Sequence, residues 1–197
     1  MLGEIDVWNG LSHGLLLLIN DILDLKNSED KQGRVHGLEH RLETCVQVLP
    51  LSLQRHTRAS LLESTAEAYR LAAWILLQES CREEFLGIAL EKLERRREEE
   101  EEAILQLVEQ VIGGLDYLPI SWPLWPLFIA SCVCVDEETQ RRAFALFSLA
   151  AQKAPFENIL RAQTVAQLVW QRRPRASLGV FPWQVVLQFL GWETSFA

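Results

Sequence analysis

The sequence lacks a membrane-spanning segment and a secretory signal. "GLLLLI" is six residues long, and the apolar stretch from Trp122 to Val135 has fourteen residues with two prolines inside. A membrane-spanning helix needs ~18 apolar residues. The opening "MLGEIDVW" is acidic where a signal peptide is positively charged. We therefore expect no membrane contact and an intracellular protein with reduced thiols at its four cysteines, Cys45, Cys81, Cys132 and Cys134.

The sequence also lacks an excess of basic residues and the common nucleotide-binding motifs. Its formal net charge is −8, which argues against direct, specific DNA binding because phosphate contacts need clustered Lys and Arg. There is no glycine-rich phosphate loop and no dinucleotide fingerprint, so we expect no cofactor and no enzyme. The basic stretch "QRRPR" (171–175) fits either a solvated loop or a nuclear-import or phosphate contact.

Apolar residues recur with helical spacing, and alternating strand-like runs are absent. One face of a helix is predicted by steps of four and three residues in three places: Leu11, Leu15, Leu18, Ile22 and Leu25; Leu62, Ala66, Tyr69, Ala73 and Leu76; and Leu105, Val108 and Ile112. The length of 197 residues suits one domain. The sequence predicts a single all-α domain over residues 1–197, with about seven or eight packed, mostly antiparallel helices.

Polar and proline-containing stretches mark the expected helix boundaries. Loops are predicted at 26–33, 113–123 and 172–179. Asp136 is expected to cap a helix that has two glutamates in its first turn, where the helix dipole favours them. Pro182 is expected in the first turn of a last short helix.

One segment, "EKLERRREEEEEAIL" (91–105), is strongly charged. It is interpreted as a solvated helix face, with a dedicated partner-binding surface as the alternative. Its charges can pair at a spacing of four residues, each pair stabilising the helix by a few tenths of a kcal/mol: Arg95 with Glu99, Arg96 with Glu100, and Arg97 with Glu101.

Two patterns have the spacing of metal ligands, but neither predicts a metal site. In "HGLEH", His36 and His40 lie four residues apart and Glu39 could activate water, yet no third ligand presents itself. Cys132 and Cys134 would point in different directions on a helix. We interpret the histidines as surface or half-buried residues and the cysteines as small buried apolar side chains.

The stretch "WPLWPLFIASCVCVDEETQRR" contains two tryptophan–proline pairs, an apolar run, three acidic residues and two arginines. It resembles the C-terminal regulatory domain of fungal zinc-cluster transcription factors, the second of the two large families of fungal-specific transcription factor domains. The matching residues are Trp125, Pro126, Leu127, Phe128, Ile129, Ala130, Cys132, Asp136, Arg141 and Arg142. Ser131 stands where the family usually has glycine.

Three further stretches resemble the family in the same order along the chain, and so does the opening "DVWNGLSHGLLLLINDILDL". "AYRLAAWILLQ" is similar to the family's central helix. "ENILRAQTVAQLVWQRR" is similar to a segment with an asparagine and a Val-Trp end, here Asn158 and Trp170. "FPWQVVLQFLGW" is similar to its closing helix, with Trp183 and Gly191. The resemblance therefore covers nearly the whole chain.

The resemblance implies a non-catalytic regulatory module of a fungal transcription regulator. Such a module would contact the transcription machinery or a DNA-binding regulator, in the nucleus and also in the cytoplasm, and a homodimer or the sensing of a small molecule is compatible with it. The chain contains no six-cysteine zinc cluster, so the resemblance does not imply direct DNA binding. The alternative is a helical scaffold or coactivator with no DNA-binding partner in the same polypeptide.

Two interpretations of the WPLF stretch remain open from sequence. In the first, Pro126 fixes φ at the start of a buried helix, and Leu127, Phe128 and Ile129 enter the core. In the second, Trp122 and Trp125 line an exposed groove for a ligand or a partner.

Overall fold

The computed structural model describes residues 2–27, 30–81, 90–116, 122–154, 156–172 and 182–192. Within these ranges the fold is all-α, and the only β-structure is two isolated bridges near the N-terminus, which confirms the predicted fold class. A 3-10 turn spans Asp24–Asn27. The helices are α1 His13–Leu23, α2 Lys31–Glu43, α3 Ala59–Ser80, α4 Leu90–Gly113, α5 Leu124–Val133, α6 Glu137–Lys153, α7 Glu157–Arg172 and α8 Pro182–Leu190.

The apolar face predicted for α1 is confirmed. Ser12 caps the helix, its side chain accepting a hydrogen bond from the amide of Leu15 at 3.3 Å, which satisfies one of the amides that a helix start leaves free. Asn20 and Asp24 lie exposed. Five apolar side chains face the core: Leu11, Leu15, Leu18, Ile22 and Leu25.

Helices α3 and α4 form the most extensive contact of the bundle, and they run antiparallel. Gln78 at the end of α3 meets Glu100 in the first half of α4, while Ser64 near the start of α3 meets Gln110 near the end of α4. The second half of α3 is buried on all sides from Ala72 to Gln78, so this helix forms the centre of the domain.

Helix α6 lies beside α4 and runs parallel to it, which differs from the antiparallel packing expected from the sequence. Arg142 in its first half binds Glu102 of α4, and Lys153 in its last turn donates hydrogen bonds of 2.6 Å to the carbonyl oxygens of Ile112 and Leu115. Lys153 thereby satisfies carbonyl groups that the end of α4 leaves without helical partners.

Two of the predicted boundaries are confirmed and one is partly wrong. Asp136 caps α6, accepting from the Thr139 amide at 2.8 Å, and α8 begins at Pro182. The polar loop predicted at 26–33 is shorter, because the Asp30 side chain accepts from the Gly33 amide and starts α2 at Lys31. Most of the loop predicted at 172–179 lies outside the described residues.

Candidate functional site

Helix α5 carries most of the residues on which the family resemblance rests. It begins at Leu124, so Pro126 occupies the third helical position, where its missing N–H leaves no hydrogen bond unmade. Leu127, Phe128 and Ile129 are buried, which confirms that they enter the core. Ala130 and Cys132 are also buried, so α5 contacts its neighbours on nearly every side.

The Trp125 ring stacks on Tyr69 of α3. Their ring centroids are 5.7 Å apart and the planes are inclined by 13°. Burial raises the pKa of the Tyr69 phenol to about 12, so the phenol stays neutral and acts as part of an apolar surface. This pair attaches the first turn of α5 to the central helix.

The Phe128 ring meets Trp183 of α8 edge to face. Their centroids are 5.9 Å apart and the planes are inclined by 71°, a favourable aromatic geometry. Phe128 has no exposed surface, and it lies in the middle of the core cluster. The closing helix is therefore packed directly onto the WPLF segment.

Ser131 connects α5 to α7. The Trp170 indole N–H donates a 2.7 Å hydrogen bond to the Ser131 carbonyl oxygen. The Ser131 hydroxyl donates to the carbonyl oxygen of Leu127 one turn earlier, at 2.6 Å, so a buried serine at the usual glycine position has its polar group satisfied. Trp125, Phe128 and Ser131 thus link α5 to α3, α8 and α7, and we call this arrangement the α5 hub.

The remaining residues of the motif lie outside the α5 hub. Asp136 caps α6, and Arg141 is exposed, with its Nε donating to the Glu137 carbonyl oxygen at 3.2 Å. Asn158 is exposed in the first turn of α7. Neither Arg141 nor Asn158 contributes a side chain to the hub.

The groove interpretation of the two tryptophans finds little support. Trp122 is only 3% exposed, and Trp125 is partly buried against Tyr69. A slot between α3, α5 and Trp183 has a volume of about 10 Å³, which is room for roughly one water molecule. The surface of α5 is therefore used for packing rather than for holding a ligand.

The charged run on α4 is a solvated face at Arg95, Glu98 and Glu99, as interpreted, but not at the two glutamates that follow. Glu100 and Glu101 are only 7% and 6% exposed. Glu100 accepts from Arg96 Nε and from Gln78 Nε2, both at 3.1 Å, which confirms the predicted Arg96–Glu100 pair. Arg97 instead binds Glu79 of α3, its Nη1 lying 3.3 Å from Glu79 Oε1.

The sequence contains a signal for the burial of Glu100 and Glu101, but the strong charge of the segment led to the opposite interpretation. The apolar stripe of Ile104, Leu105 and Val108, continued one turn back at a spacing of four residues, falls on Glu100 and Glu101. Burial is the main cause that raises the pKa of each of these two carboxyls to about 7. Helical periodicity could therefore have indicated that these two positions are buried, although the interpretation from composition did not.

The two metal-like patterns are not joined by further ligands within the described residues. The His36 side chain is 90% exposed, with its Nδ1 3.7 Å from Glu39 Oε2. Burial raises the pKa of the Cys132 and Cys134 thiols, so both stay protonated. In the part of the chain that the structure describes, no group of three or more His, Cys, Asp or Glu side chains is placed to hold a metal ion.

The stretch from Gly10 to Gly14 matches G-x-S-x-G, the pattern of a nucleophile elbow, so the expectation of no enzyme was wrong in treating this pattern as absent. In such an elbow the serine oxygen is exposed at the end of a strand. Ser12 has no exposed surface, and its hydroxyl caps α1. The pattern here is a helix start rather than a nucleophile.

A polar cleft of about 260 Å³ lies beside the first half of α3, between the N-terminal segment and the chain around Cys45. Arg70 and Glu67 form a two-pronged ion pair in it, at 2.6 and 2.8 Å. Gln47 closes one end, its Nε2 donating to the Ala66 carbonyl oxygen at 2.6 Å. Burial raises the pKa of the Cys45 thiol beside this pair. The remaining lining residues are Ile5 and Glu63.

These features define the chain as an all-α domain in which the buried helix α5 packs against the central helix α3, with its recognisable motif used for packing. None of the described helices is long and apolar enough to cross a membrane. The model of the fungal specific transcription factor domain matches residues 2–197, so the chain belongs to that family. The resemblance seen in the sequence is thus confirmed, and it points to a role in transcription regulation. No curated protein and no solved structure matches the chain.

Proposed function

We propose that this chain is a non-catalytic regulatory module that acts on transcription through contacts with other proteins, in the nucleus. The observation that supports this most directly is the α5 hub. Several residues on which the family resemblance rests connect one helix to another, through ring contacts and hydrogen bonds inside the domain. We therefore expect partner proteins to bind the outer faces of the helices.

The outer faces of α6, α7 and α8 provide apolar side chains for such contacts. Interfaces are enriched in large apolar and aromatic residues, and here several stand at least one-third exposed. Exposed charged residues such as Arg141 and Arg161 lie on the same helices, as expected for a transient interface. The exposed apolar residues on these helices are Phe144, Leu149, Leu160, Val185 and Phe189.

The experiment joins the chain to an unrelated DNA-binding domain and measures expression of a reporter gene. We expect the fusion to change expression relative to the DNA-binding domain alone. Leu160→Ser should weaken the effect, and the matched change Leu51→Ser, in the loop before α3, should not, although Leu51 is also exposed. Equal effects of the two variants would remove α7 from the proposed contact surface.

Direct DNA binding is tested separately with the unfused chain. The net charge of −8 allows at most weak, salt-sensitive binding. We expect no sequence-specific complex with promoter fragments at ~0.15 M salt. A specific complex at nanomolar concentration would contradict the proposal. A fusion that is silent alone but active when a second regulator is supplied would favour the helical scaffold or coactivator.

A second candidate function, the sensing of a small polar molecule, is favoured by the cleft beside Glu67 and Arg70. Its volume of about 260 Å³ is close to the lower end of small-molecule sites. If a ligand binds there, Arg70→Met should abolish the stabilisation that it confers. Arg41→Met removes an exposed arginine of α2 that pairs with Asp21 instead, and it should leave that stabilisation intact.

A further inference from the structure

Three carboxylates share two guanidinium groups where the end of α3 meets the first half of α4. We call this cluster the α3–α4 junction; it comprises Glu79, Arg96, Arg97, Glu100 and Glu101. Arg97 binds Glu79 and Arg96 binds Glu100. If all three carboxyls are ionised, one has no arginine of its own, and the geometry leaves Glu101 in that position. An uncompensated buried charge is strongly destabilising.

The Cys134 thiol faces Glu101 from the end of α5. Its Sγ donates to the Ala130 carbonyl oxygen at 3.3 Å. The interaction of this thiol with Glu101 lowers the pKa of the carboxyl, but the effect of burial is larger and opposite. The proton on Glu101 is therefore held by burial and by the lack of an arginine of its own.

Arg97 has a donor free to turn toward Glu101. Its Nε is buried and has no hydrogen-bond partner in the described part of the chain. Arg97 and Glu101 lie one turn apart on the same face of α4, the spacing at which an arginine and a glutamate pair. An ionised Glu101 would offer this arginine a charged acceptor, which binds a guanidinium more strongly than the carbonyl oxygen of the neutral acid does.

From this arrangement we propose that the α3–α4 junction is a pH-sensitive switch, in which loss of the Glu101 proton transfers Arg97 from Glu79 to Glu101. The transfer replaces an ion pair between two helices with a pair inside α4. The Glu79–Arg97 ion pair between α3 and α4 is then lost, while the Gln78–Glu100 hydrogen bond and the apolar contacts deeper in the pair of helices remain.

The other charges facing Glu101 agree with a proton held near neutral pH. Burial is the largest cause that raises its pKa to about 7, and the negative charges of Glu98 on α4 and Asp136 before α6 raise it further. Arg97 lowers it. The arginine of α6 that faces this side of α4, Arg142, is held by Glu102 and Glu109.

Glu100 belongs to the same cluster but has its own partners. Gln78 and Arg96 hydrogen-bond its two oxygens, and Arg70 of α3 adds a weaker attraction. The Arg96 guanidinium lies 4.1 Å from the centre of the Trp74 ring, which holds it in place. Glu100 can therefore ionise without moving an arginine, and the exchange is assigned to Glu101.

The test follows the Arg97 Nε–H resonance by NMR in the full chain, from about pH 5.5 to about pH 8.5. We expect it to shift with a midpoint of about 7, together with the side-chain carboxyl resonance of Glu79. Glu101→Gln should abolish both shifts. Glu99→Gln, an exposed change on the same helix, should leave them in place.

Three outcomes would overturn the switch. The Arg97 resonance could stay constant over this range in the wild-type chain. The shift could persist in Glu101→Gln. It could disappear in Glu100→Gln while surviving in Glu101→Gln, which would move the switch to Glu100. If Glu101→Gln does not fold, Glu79→Gln serves instead: Arg97 then has no competing carboxylate on α3, so the Glu101 carboxyl should titrate at a lower pH than in the wild-type chain. An unchanged Glu101 midpoint in Glu79→Gln would also count against the switch.

Discussion

Helix α5 and the first half of α4 both lie against α3, but they bury different kinds of side chain. The α5 hub buries aromatic rings and aliphatic groups whose packing needs only a complementary shape. The α3–α4 junction buries Glu100 and Glu101, whose burial needs a proton or a cation for each. The comparison implies that the contribution of α5 to the free energy of unfolding does not change with pH. The contribution of α4 does change with pH.

The largest effect is expected from truncating the α5 hub. Phe128→Ala removes a fully buried ring and its contact with Trp183, which should lower the free energy of unfolding by roughly 3–5 kcal/mol. Trp125→Ala should fall in the lower part of that range, because Trp125 is only partly buried. Urea unfolding followed by circular dichroism measures both.

The matched control for Phe128 is Phe144→Ala on α6. Phe144 is 38% exposed, so its removal should destabilise the chain far less. The loss for Phe128→Ala should also be the same at about pH 6 and about pH 8, since no titratable group is removed. If Phe128→Ala and Phe144→Ala lowered the free energy of unfolding equally, the α5 hub would not be a main source of stability.

The second effect concerns the pH dependence that α4 confers. The pKa of Glu101 is raised from 4.5 to about 7, so between these values the folded chain holds a proton that the unfolded chain releases. The stability that this proton contributes is fully present below about pH 4.5 and is lost as the pH rises through about 7. From about pH 8 down to about pH 5.5, Glu101 should add about 2 kcal/mol to the free energy of unfolding.

Glu101→Gln should therefore be more stable than the wild type at about pH 8 and nearly equal to it at about pH 5.5. Hydrogen bonds from Arg142 and Thr139 lower the pKa of Glu102 and Asp136, and the stability from those groups is lost only at more acidic pH. Parallel pH profiles for Glu101→Gln and the wild type would show that burial does not hold this proton.

The third effect is a single hydrogen bond of the α5 hub. Trp170→Phe keeps an aromatic ring but leaves the Ser131 carbonyl oxygen without its indole donor. The expected loss is about 1–2 kcal/mol, the cost of an unpaired buried acceptor. Trp8→Phe, at a tryptophan that is 76% exposed, should be nearly neutral. A similar loss in both would assign the effect to ring size rather than to the hydrogen bond.

The α5 hub and the α3–α4 junction also differ in how well the sequence could predict them, because one buries apolar side chains and the other buries carboxyl groups. A run such as Leu127–Ile129 has no stable place other than a core, so its burial could be predicted from composition alone. Glutamates are almost always exposed, and only the position of Glu100 and Glu101 on the apolar stripe of α4 opposed that expectation. The bond between Trp170 and Ser131 joins residues 39 positions apart, and no local pattern encodes it.

The smallest effect is expected at the exposed titratable residues of α2. His36 is 90% exposed, and His40 is exposed as well, so replacing both with alanine should change the free energy of unfolding by less than ~1 kcal/mol. The purified chain should contain no stoichiometric zinc, because "HGLEH" supplies two histidines on a helix face with no further ligand gathered around them in the described residues. The double variant should also keep the pH profile of the wild type, since Glu100 and Glu101 are untouched. A one-to-one zinc content that the double variant loses would restore the metal interpretation. Loss of the pH profile in that variant would place its origin on α2, and the contrast between an apolar α5 and a titratable α4 would then no longer hold.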